Sequence, residues 1–459
     1  MAATDIMKIT DSLKFNRFHL QLLVCCIFII VCDGYDMFML GAILPSLMEE
    51  WAIDPLQAGA LASYALIGMM LGAMIFGPVA DKIGRKNVIL ICTVIFSLFT
   101  FTSGFATNVT SFGIQRFIAG VGLGGVMPNL IALVTEYSPK KMKSTLVAVM
   151  FSGHALGGVV AAVGTIYLLP TFGWRSIVWL GVLPLVFLPI IYKVLPESIN
   201  FYLLKNKTDK VAQILNKMDA SRHYSETENF TMPEEKEEGS PVKNLFMKKR
   251  GISTILFWLC FFMCLFVMYG LSTWLPKIMQ DAGFPLGSSL TFLLALNIGA
   301  VVGAIVGGQL ADRFGTKKIL IIFFLIAFVS LTILSFRPSM VLLYLLIALA
   351  GGTTTGTQIV ANSYVSQYYP SSMRSTGIGW ALGVGRFGGM IGPALGGIVL
   401  GQHLSLQANF MIFAIPCIVA AIAIWFVQEK YGQVYQGEEQ ERTENRILAE
   451  ELYFKEEII

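Results

Sequence analysis

Charge is scarce in this sequence. Asp, Glu, Lys and Arg together make up 14% of its 459 residues, against 55% hydrophobic residues, and the mean hydropathy is +0.68. No single core could bury so much apolar surface away from water, which excludes a soluble fold and leaves a polytopic membrane protein. The seven cysteines (Cys25, Cys26, Cys32, Cys92, Cys260, Cys264, Cys417) sit in apolar runs with no paired-thiol spacing. That pattern excludes a disulfide scaffold and reads as small hydrophobes. Metal-ligand clusters and nucleophile–base pairs are lacking too, so neither an enzyme nor a cofactor is expected. The net charge of +4 follows from loop lysines and arginines and gives no reason to expect a nucleic-acid partner. The first 17 residues carry Asp5, Lys8, Asp11, Lys14 and Arg17 without an apolar core. A cleavable signal is therefore not expected, and the first apolar run should remain as a spanning helix.

What the chain has instead is length in apolar runs. About twelve segments meet the ~20-residue requirement of a membrane helix, centred near Ile30, Gly68, Phe96, Gly122, Leu156, Val182, Phe266, Gly299, Phe328, Gly352, Phe387 and Val419. Basic residues fall in alternate loops: Lys82, Arg85 and Lys86; Lys140, Lys141 and Lys143; Arg313, Lys317 and Lys318; and Arg374. By the positive-inside rule both termini are cytoplasmic. The expected division is a six-helix bundle over 1–193, a cytoplasmic linker over 194–250 that carries the charged run Pro233 to Glu238, a second bundle over 251–428, and a Glu-rich solvated tail over 429–459.

The first apolar run is interrupted by Cys32-Asp33-Gly34-Tyr35-Asp36. Three residues apart on a helix, Asp33 and Asp36 are expected to share a face. An ionisable side chain near a bilayer centre costs about 2.5–3.5 kcal/mol on insertion scales, so both acids should face a partner or a water-filled path. They are candidates for carrying protons.

The two halves repeat one another. Gly77-Pro78-Val79-Ala80-Asp81-Lys82-Ile83-Gly84-Arg85-Lys86 recurs as Gly308-Gln309-Leu310-Ala311-Asp312-Arg313-Phe314-Gly315-Thr316-Lys317, with Gly77 aligned to Gly308 at an offset of 231. The same offset brings Glu136-Tyr137-Ser138-Pro139 onto Gln367-Tyr368-Tyr369-Pro370, and Lys143-Ser144-Thr145 onto Arg374-Ser375-Thr376. A duplicated six-helix unit points to halves that rock about a site at their shared midplane.

These motifs, with Arg116 opening a Gly-rich fourth helix and Pro196-Glu197-Ser198 after the sixth, resemble the major facilitator superfamily over nearly the whole chain. Asp33-Gly34-Tyr35-Asp36, Glu136-Tyr137 and Gly385-Arg386-Phe387-Gly388 resemble its aromatic acid/proton symporter branch, whose members carry benzoate and 4-hydroxybenzoate. The resemblance implies twelve transmembrane helices in two pseudo-symmetric halves and a bacterial inner membrane. It departs at Thr316, which stands where the first copy has Arg85, and after Pro196-Glu197-Ser198, where Ile199-Asn200-Phe201 lacks the Pro-Arg common in sugar carriers.

The residues themselves sketch a site. Arg386 sits midway along its apolar segment, and a midplane guanidinium suits bidentate capture of a substrate carboxylate. The competing reading is that Arg386 only neutralises Asp33 or Asp36. His154 lies at nearly the pseudo-equivalent position and is a proton-sensitive donor, although packing is the commoner role for a lone histidine. Arg116 is a candidate partner of Asp33 or Asp36. Tyr35, Phe38, Trp380 and Phe387 are candidates to sandwich a flat ring, with Tyr269 and Trp274 as further ones. Asp81, Arg85, Lys86, Glu136, Asp312, Arg313 and Lys317 form a candidate cytoplasmic gate. The glycine run Gly120 to Gly125 has dinucleotide-loop spacing but lies within an apolar helix, and Asn108-Val109-Thr110 is a weak glycosylation pattern. The function expected is import of an aromatic carboxylate by proton symport, acting as a monomer. A carrier of another organic acid, a drug antiporter or a non-transporting membrane sensor are the alternatives.

Overall fold

The computed structural model describes residues 4–139, 142–219, 241–402 and 404–432, together with scattered positions between 222 and 231. Lys140, Lys141, the acidic run 233–238 and the tail beyond 432 lie outside the described residues. Ten long helices are uninterrupted: α1 (Arg17–Trp51), α2 (Pro55–Ile83), α3 (Arg85–Ser103), α4 (Val109–Tyr137), α7 (Gly251–Asp281), α8 (Leu286–Phe314), α9 (Thr316–Leu334), α10 (Met340–Tyr368), α11 (Ser371–Gly401) and α12 (Leu406–Trp425). Between α4 and α7, Thr145–Val194 forms one continuous apolar span of 50 residues. At 1.5 Å per residue that is about 75 Å, more than twice a ~30 Å hydrocarbon core. Gly173, at φ +71° and ψ 175°, breaks it. Residues 143–172 are therefore α5. Residues 174–194, which continue through a 3-10 turn at Leu180–Val182 and short helices at Leu183–Val186 and Leu188–Val194, are α6. Eleven spans among the described residues thus account for twelve crossings.

Local chemistry sets the helix starts. Asn16 caps α1 by accepting from the Phe18 amide at 3.0 Å, and Asp54 caps α2 through the Gln57 amide at 2.7 Å, with Pro55 in the first turn. Asn108 caps α4 by accepting from the Ser111 amide at 2.8 Å. The fourth helix thus begins about two turns before Arg116, and Asn108-Val109-Thr110 is a capping sequence.

Packing repeats with the sequence. Within the first half α1 lies on α5, α2 on α4, and α3 on α4 and α6; within the second, α7 lies on α11, α8 on α10, and α9 on α10 and α12. The halves meet through α2 with α11, α5 with α8 and α1 with α7, a set that pseudo-two-fold exchange maps onto itself. Glycines make the α2/α4 and α8/α10 seams. A Cβ at Gly72 would lie 2.0 Å from the Val121 carbonyl oxygen, and one at Gly303 would lie 2.0 Å from the Gly352 carbonyl oxygen. Gly120 and Gly124 of the loop-like run press on Ala65 and Met69 in the same way, while Gly122 and Gly125 face Cys92 and Phe96 or Phe76. That run is a packing surface of the small-residue kind that lets membrane helices approach closely.

One end of the bundle carries Lys82, Arg85, Lys86, Lys317 and Arg374, and is called the basic end below. There an amphipathic helix, Thr208–Met218, lies under the first half with Val211, Leu215 and Met218 buried. Asn16 donates to the Met218 carbonyl at 2.6 Å, and Thr4–Asp5 forms a two-residue parallel ladder with Phe230–Thr231.

Candidate functional site

Asp33 is completely buried on α1, and neither of its carboxylate oxygens has a hydrogen-bond partner among the described residues. His154 Nε2 approaches Asp33 Oδ2 to 3.6 Å, an ion-pair separation too long for a hydrogen bond. The approach depends on Gly34: a Cβ there would stand 2.1 Å from the His154 carbonyl oxygen, so only glycine lets α5 lie so close to α1. Phe38 packs edge-on to the His154 ring at a centroid distance of 5.2 Å. Next to it, Asn297 of α8 presses on Gly158 of α5, so this corner of the site spans both halves.

Arg386 enters from α11, half-buried. Its Nη1 donates to the Met69 carbonyl at 3.2 Å, and it forms no ion pair among the described residues. Tyr269 of α7 and Asp33 both lie within electrostatic reach of the guanidinium, with Asp33 beyond contact distance. An acid and a cation thus face each other from opposite halves without closing on each other.

Asp36 does something else. Arg116 grips its carboxylate with two bonds, Nη1 to Oδ1 at 2.8 Å and Nη2 to Oδ2 at 2.7 Å, and Nη2 also reaches the Asp36 carbonyl. Thr100 donates to the same carboxylate, and all three side chains are buried. Three residues apart on one helix face leave ~60° between side chains, and across that angle the two acids take different partners. That angle turns Asp36 toward α3 and α4 and Asp33 toward α5, α7 and α11. Among the described residues Arg386 forms no close ion pair with either acid: Asp36 has its own arginine, and Asp33 lies beyond ion-pair range.

Four ring candidates are placed away from this cluster. The Tyr35 hydroxyl donates to the Ile177 carbonyl at 2.7 Å, which commits it to packing within the first half. Trp380 and Phe387 lie on an exposed stripe of α11 with Ile391, Leu395 and Ile398, about a third of a turn from Arg386, and Trp380 stacks on Trp258. Trp274 is fully buried and donates to the Pro393 carbonyl at 2.7 Å. Of the rings named from sequence, Phe38 and Tyr269 adjoin the charged groups.

At the basic end, Arg85 pairs with Glu136 at 2.7 Å, and Glu136 also accepts from the Ser198 hydroxyl and the Asn200 amide. Glu197 accepts from the Lys86 and Ser198 amides at 3.0 and 2.9 Å, and burial pushes its carboxyl above the ordinary range against those bonds. In the second half Thr316 donates to Gln367 at 3.1 Å, and Lys317 reaches the Val427 carbonyl at 2.9 Å. The ion pair of one half is therefore a neutral hydrogen bond in the other. The hydroxyls of Tyr137 and Tyr368 donate to the carbonyls of Glu197 and Gln428, a backbone match at the same offset of 231. Asp81, Asp312 and Arg313 are exposed. No gate residue forms an ion pair across the halves among the described residues.

The contacts that do cross lie at the midplane or beyond it, away from the basic end. Ser63 donates to the Met390 carbonyl at 2.7 Å; Gly41 presses on Ser272, Gly59 on Pro393, and Gly397 on Pro55. Thr100 beside Asp36 and Ser198 beside Glu136 were not legible as partners of those acids. A threonine among phenylalanines carries no local signal of what it will face.

Two pseudo-symmetric bundles of spanning helices, with an acid and a cation from opposite halves held apart at their common midplane, define a membrane carrier. The Major Facilitator Superfamily family model matches residues 26–313 and 289–457. A benzoate transport protein of Acinetobacter baylyi is 43% identical over 95% of this chain and 94% of its own length. A 4-hydroxybenzoate transporter from the same organism is 35% identical over 92% and 94%, and a gallate transporter of Pseudomonas putida 34% identical over 92% and 95%. Among solved structures, a D-xylose-proton symporter superposes with a TM-score of 0.73 at 18% identity, over 90% of this chain and 99% of its own, which shows the shared fold. The chain belongs to the Major Facilitator Superfamily. It is a multi-pass membrane transporter and not an enzyme, and its relatives carry small aromatic acids.

Proposed function

We propose that this transporter imports a small aromatic carboxylate of the benzoate or hydroxybenzoate type together with protons, through alternating access. The observation that carries this reading is the pairing left open between Asp33 and Arg386. An isolated charge within a membrane bundle is costly, so a carboxylate and a guanidinium that stop short of each other mark a place for further charge. A substrate carboxylate on Arg386 supplies the anion, and a proton on Asp33 removes the negative charge facing it. Loading both together keeps the midplane near neutral, and that is the coupling. Phe38 and the edge of His154 offer the ring an apolar wall beside the charged groups.

The distribution of contacts between the halves supports a conformer open toward the basic end. Rocking would open the seam at Ser63, Gly41 and Gly59 and bring the gate residues of the two halves together. By the positive-inside rule the basic end is cytoplasmic, and both termini with it; the bacterial relatives support a bacterial inner membrane as the location. One chain holds both halves, 1–193 and 251–428, so a monomer suffices. The fixed cation Arg386 disfavours a cationic drug as cargo.

The test is uptake of labelled benzoate and 4-hydroxybenzoate by purified protein in liposomes made acidic outside, beside protein-free liposomes and a protonophore. Saturable, protein-dependent accumulation that the protonophore abolishes is the expected result. Uptake of neither acid by folded protein would overturn the aromatic-acid reading, and accumulation indifferent to the protonophore would overturn proton coupling.

A further inference from the structure

Tyr269 is a second-half residue that packs, partly buried, against the first half's apolar cluster. It reaches that place because α11 has no side chain in the way. A Cβ at Gly389 would stand 2.8 Å from the Tyr269 ring, and Gly389 lies one turn from Arg386 on the same helix. The backbones of α7 and α11 touch on either side of this point, at Phe262 with Gly388 and Phe266 with Gly392. The ring is therefore fixed between two close helix contacts. Its hydroxyl makes no hydrogen bond among the described residues, in contrast to those of Tyr35, Tyr137, Tyr364 and Tyr368, each of which has a partner. Arg386 lies near Tyr269, and among the described residues it gives one N–H to a protein acceptor, the Met69 carbonyl. Two donors from adjacent helices of one half, both with unused capacity, therefore stand within electrostatic reach of each other and of Asp33 from the other half.

We infer that Tyr269 is a second anchor for the substrate carboxylate: its phenol donates to one carboxylate oxygen while Arg386 holds the other. The inference rests on the aromatic-carboxylate reading above and adds to it a specificity. A planar acceptor with two oxygens satisfies both donors, and an amide, with one oxygen and an NH2 group, cannot. The phenol also lets one half hold the acid group by itself, so the substrate stays with α7 and α11 while Asp33 and α1 move past it.

The experiment measures equilibrium binding of benzoate, and its competition by benzamide, to the full-length purified protein and to Tyr269→Phe. Losing a hydrogen bond to a charged group should weaken benzoate binding about tenfold or more and shrink the preference for benzoate over benzamide by a similar factor. Benzamide binding itself should move little, which a general loosening of the bundle would not produce. Gly389→Ala, which forces the ring from its place, should reproduce the loss and serves if Tyr269→Phe does not fold. Benzoate affinity and preference within twofold of wild type in a folded variant would overturn the inference alone. Wild-type protein that binds no aromatic acid would defeat the substrate reading and this inference with it.

Discussion

Asp33 and Asp36 are three residues apart and live in different chemistry. Asp36 has two bonds from a buried arginine and one from Thr100, so its charge is compensated in place. Removing one partner of such a pair costs about 3–5 kcal/mol, because the other charge stays buried. Arg116→Ala should therefore lower the melting temperature and the yield of folded protein, which size-exclusion and thermal-shift measurements will register before any transport assay. Asp33 has no such bonds to lose. Asp33→Asn should leave folding and benzoate binding near wild type while abolishing gradient-driven accumulation; if it unfolds as Arg116→Ala does, the division of labour drawn here is wrong. The charged residues were readable from sequence because charge in an apolar run always demands a cause. How they pair was not, since ~60° of helix rotation and a silent threonine decide it.

At the scale of elements, the glycine run Gly120 to Gly125 was readable as part of an apolar helix, and the structure shows which seams the glycines serve. Gly303 meets the backbone of Gly352. Gly303→Val should separate α8 from α10 and lower thermal stability, while Phe387→Leu on the outer stripe of α11 should change benzoate affinity by less than twofold. The sixth crossing was legible by length although the helix is nearly continuous there, because Gly173 and the nearby Pro170 mark the break. The gate motif was legible as a repeat, but its inequality has a structural meaning the sequence only hinted at. Arg85 pairs with Glu136, whereas Thr316 pairs with Gln367 through a neutral bond. Thr316→Arg alone should destabilise the second half by leaving a cation without its acid, and adding Gln367→Glu should restore the melting temperature. Failure of the second change to rescue the first would show that the two sites are not equivalent. Glu197 adds a pH term. Its carboxyl is raised in the folded state, so the native protein holds that proton more tightly than the unfolded chain. Its contribution to stability is fully present in acid and declines as pH rises above the ordinary carboxylate range, and Glu197→Gln should flatten that part of the melting profile.

At the scale of the molecule, the repeat at one offset foretold two like bundles, and the α2/α11 and α5/α8 seams are the exchange of each other that such a repeat requires. Which end the bundle leaves open is written in no motif, because it depends on the sum of many contacts between the halves. Those contacts gather on the side of Ser63 and Met390. Replacing both with cysteine (Ser63→Cys, Met390→Cys) and oxidising the pair should hold that seam shut. Uptake should stop and return on reduction, and benzoate binding should persist throughout; uptake undiminished in the cross-linked protein would contradict rocking about this seam. The most direct test of the central claim, that Asp33 carries the proton that moves with the acid, compares two assays in the same liposomes: labelled benzoate accumulated under an inward proton gradient, and labelled benzoate exchanged against unlabelled benzoate at equal pH. Wild type should do both and Asp33→Asn only the exchange; gradient-driven accumulation by Asp33→Asn at the wild-type level would contradict it.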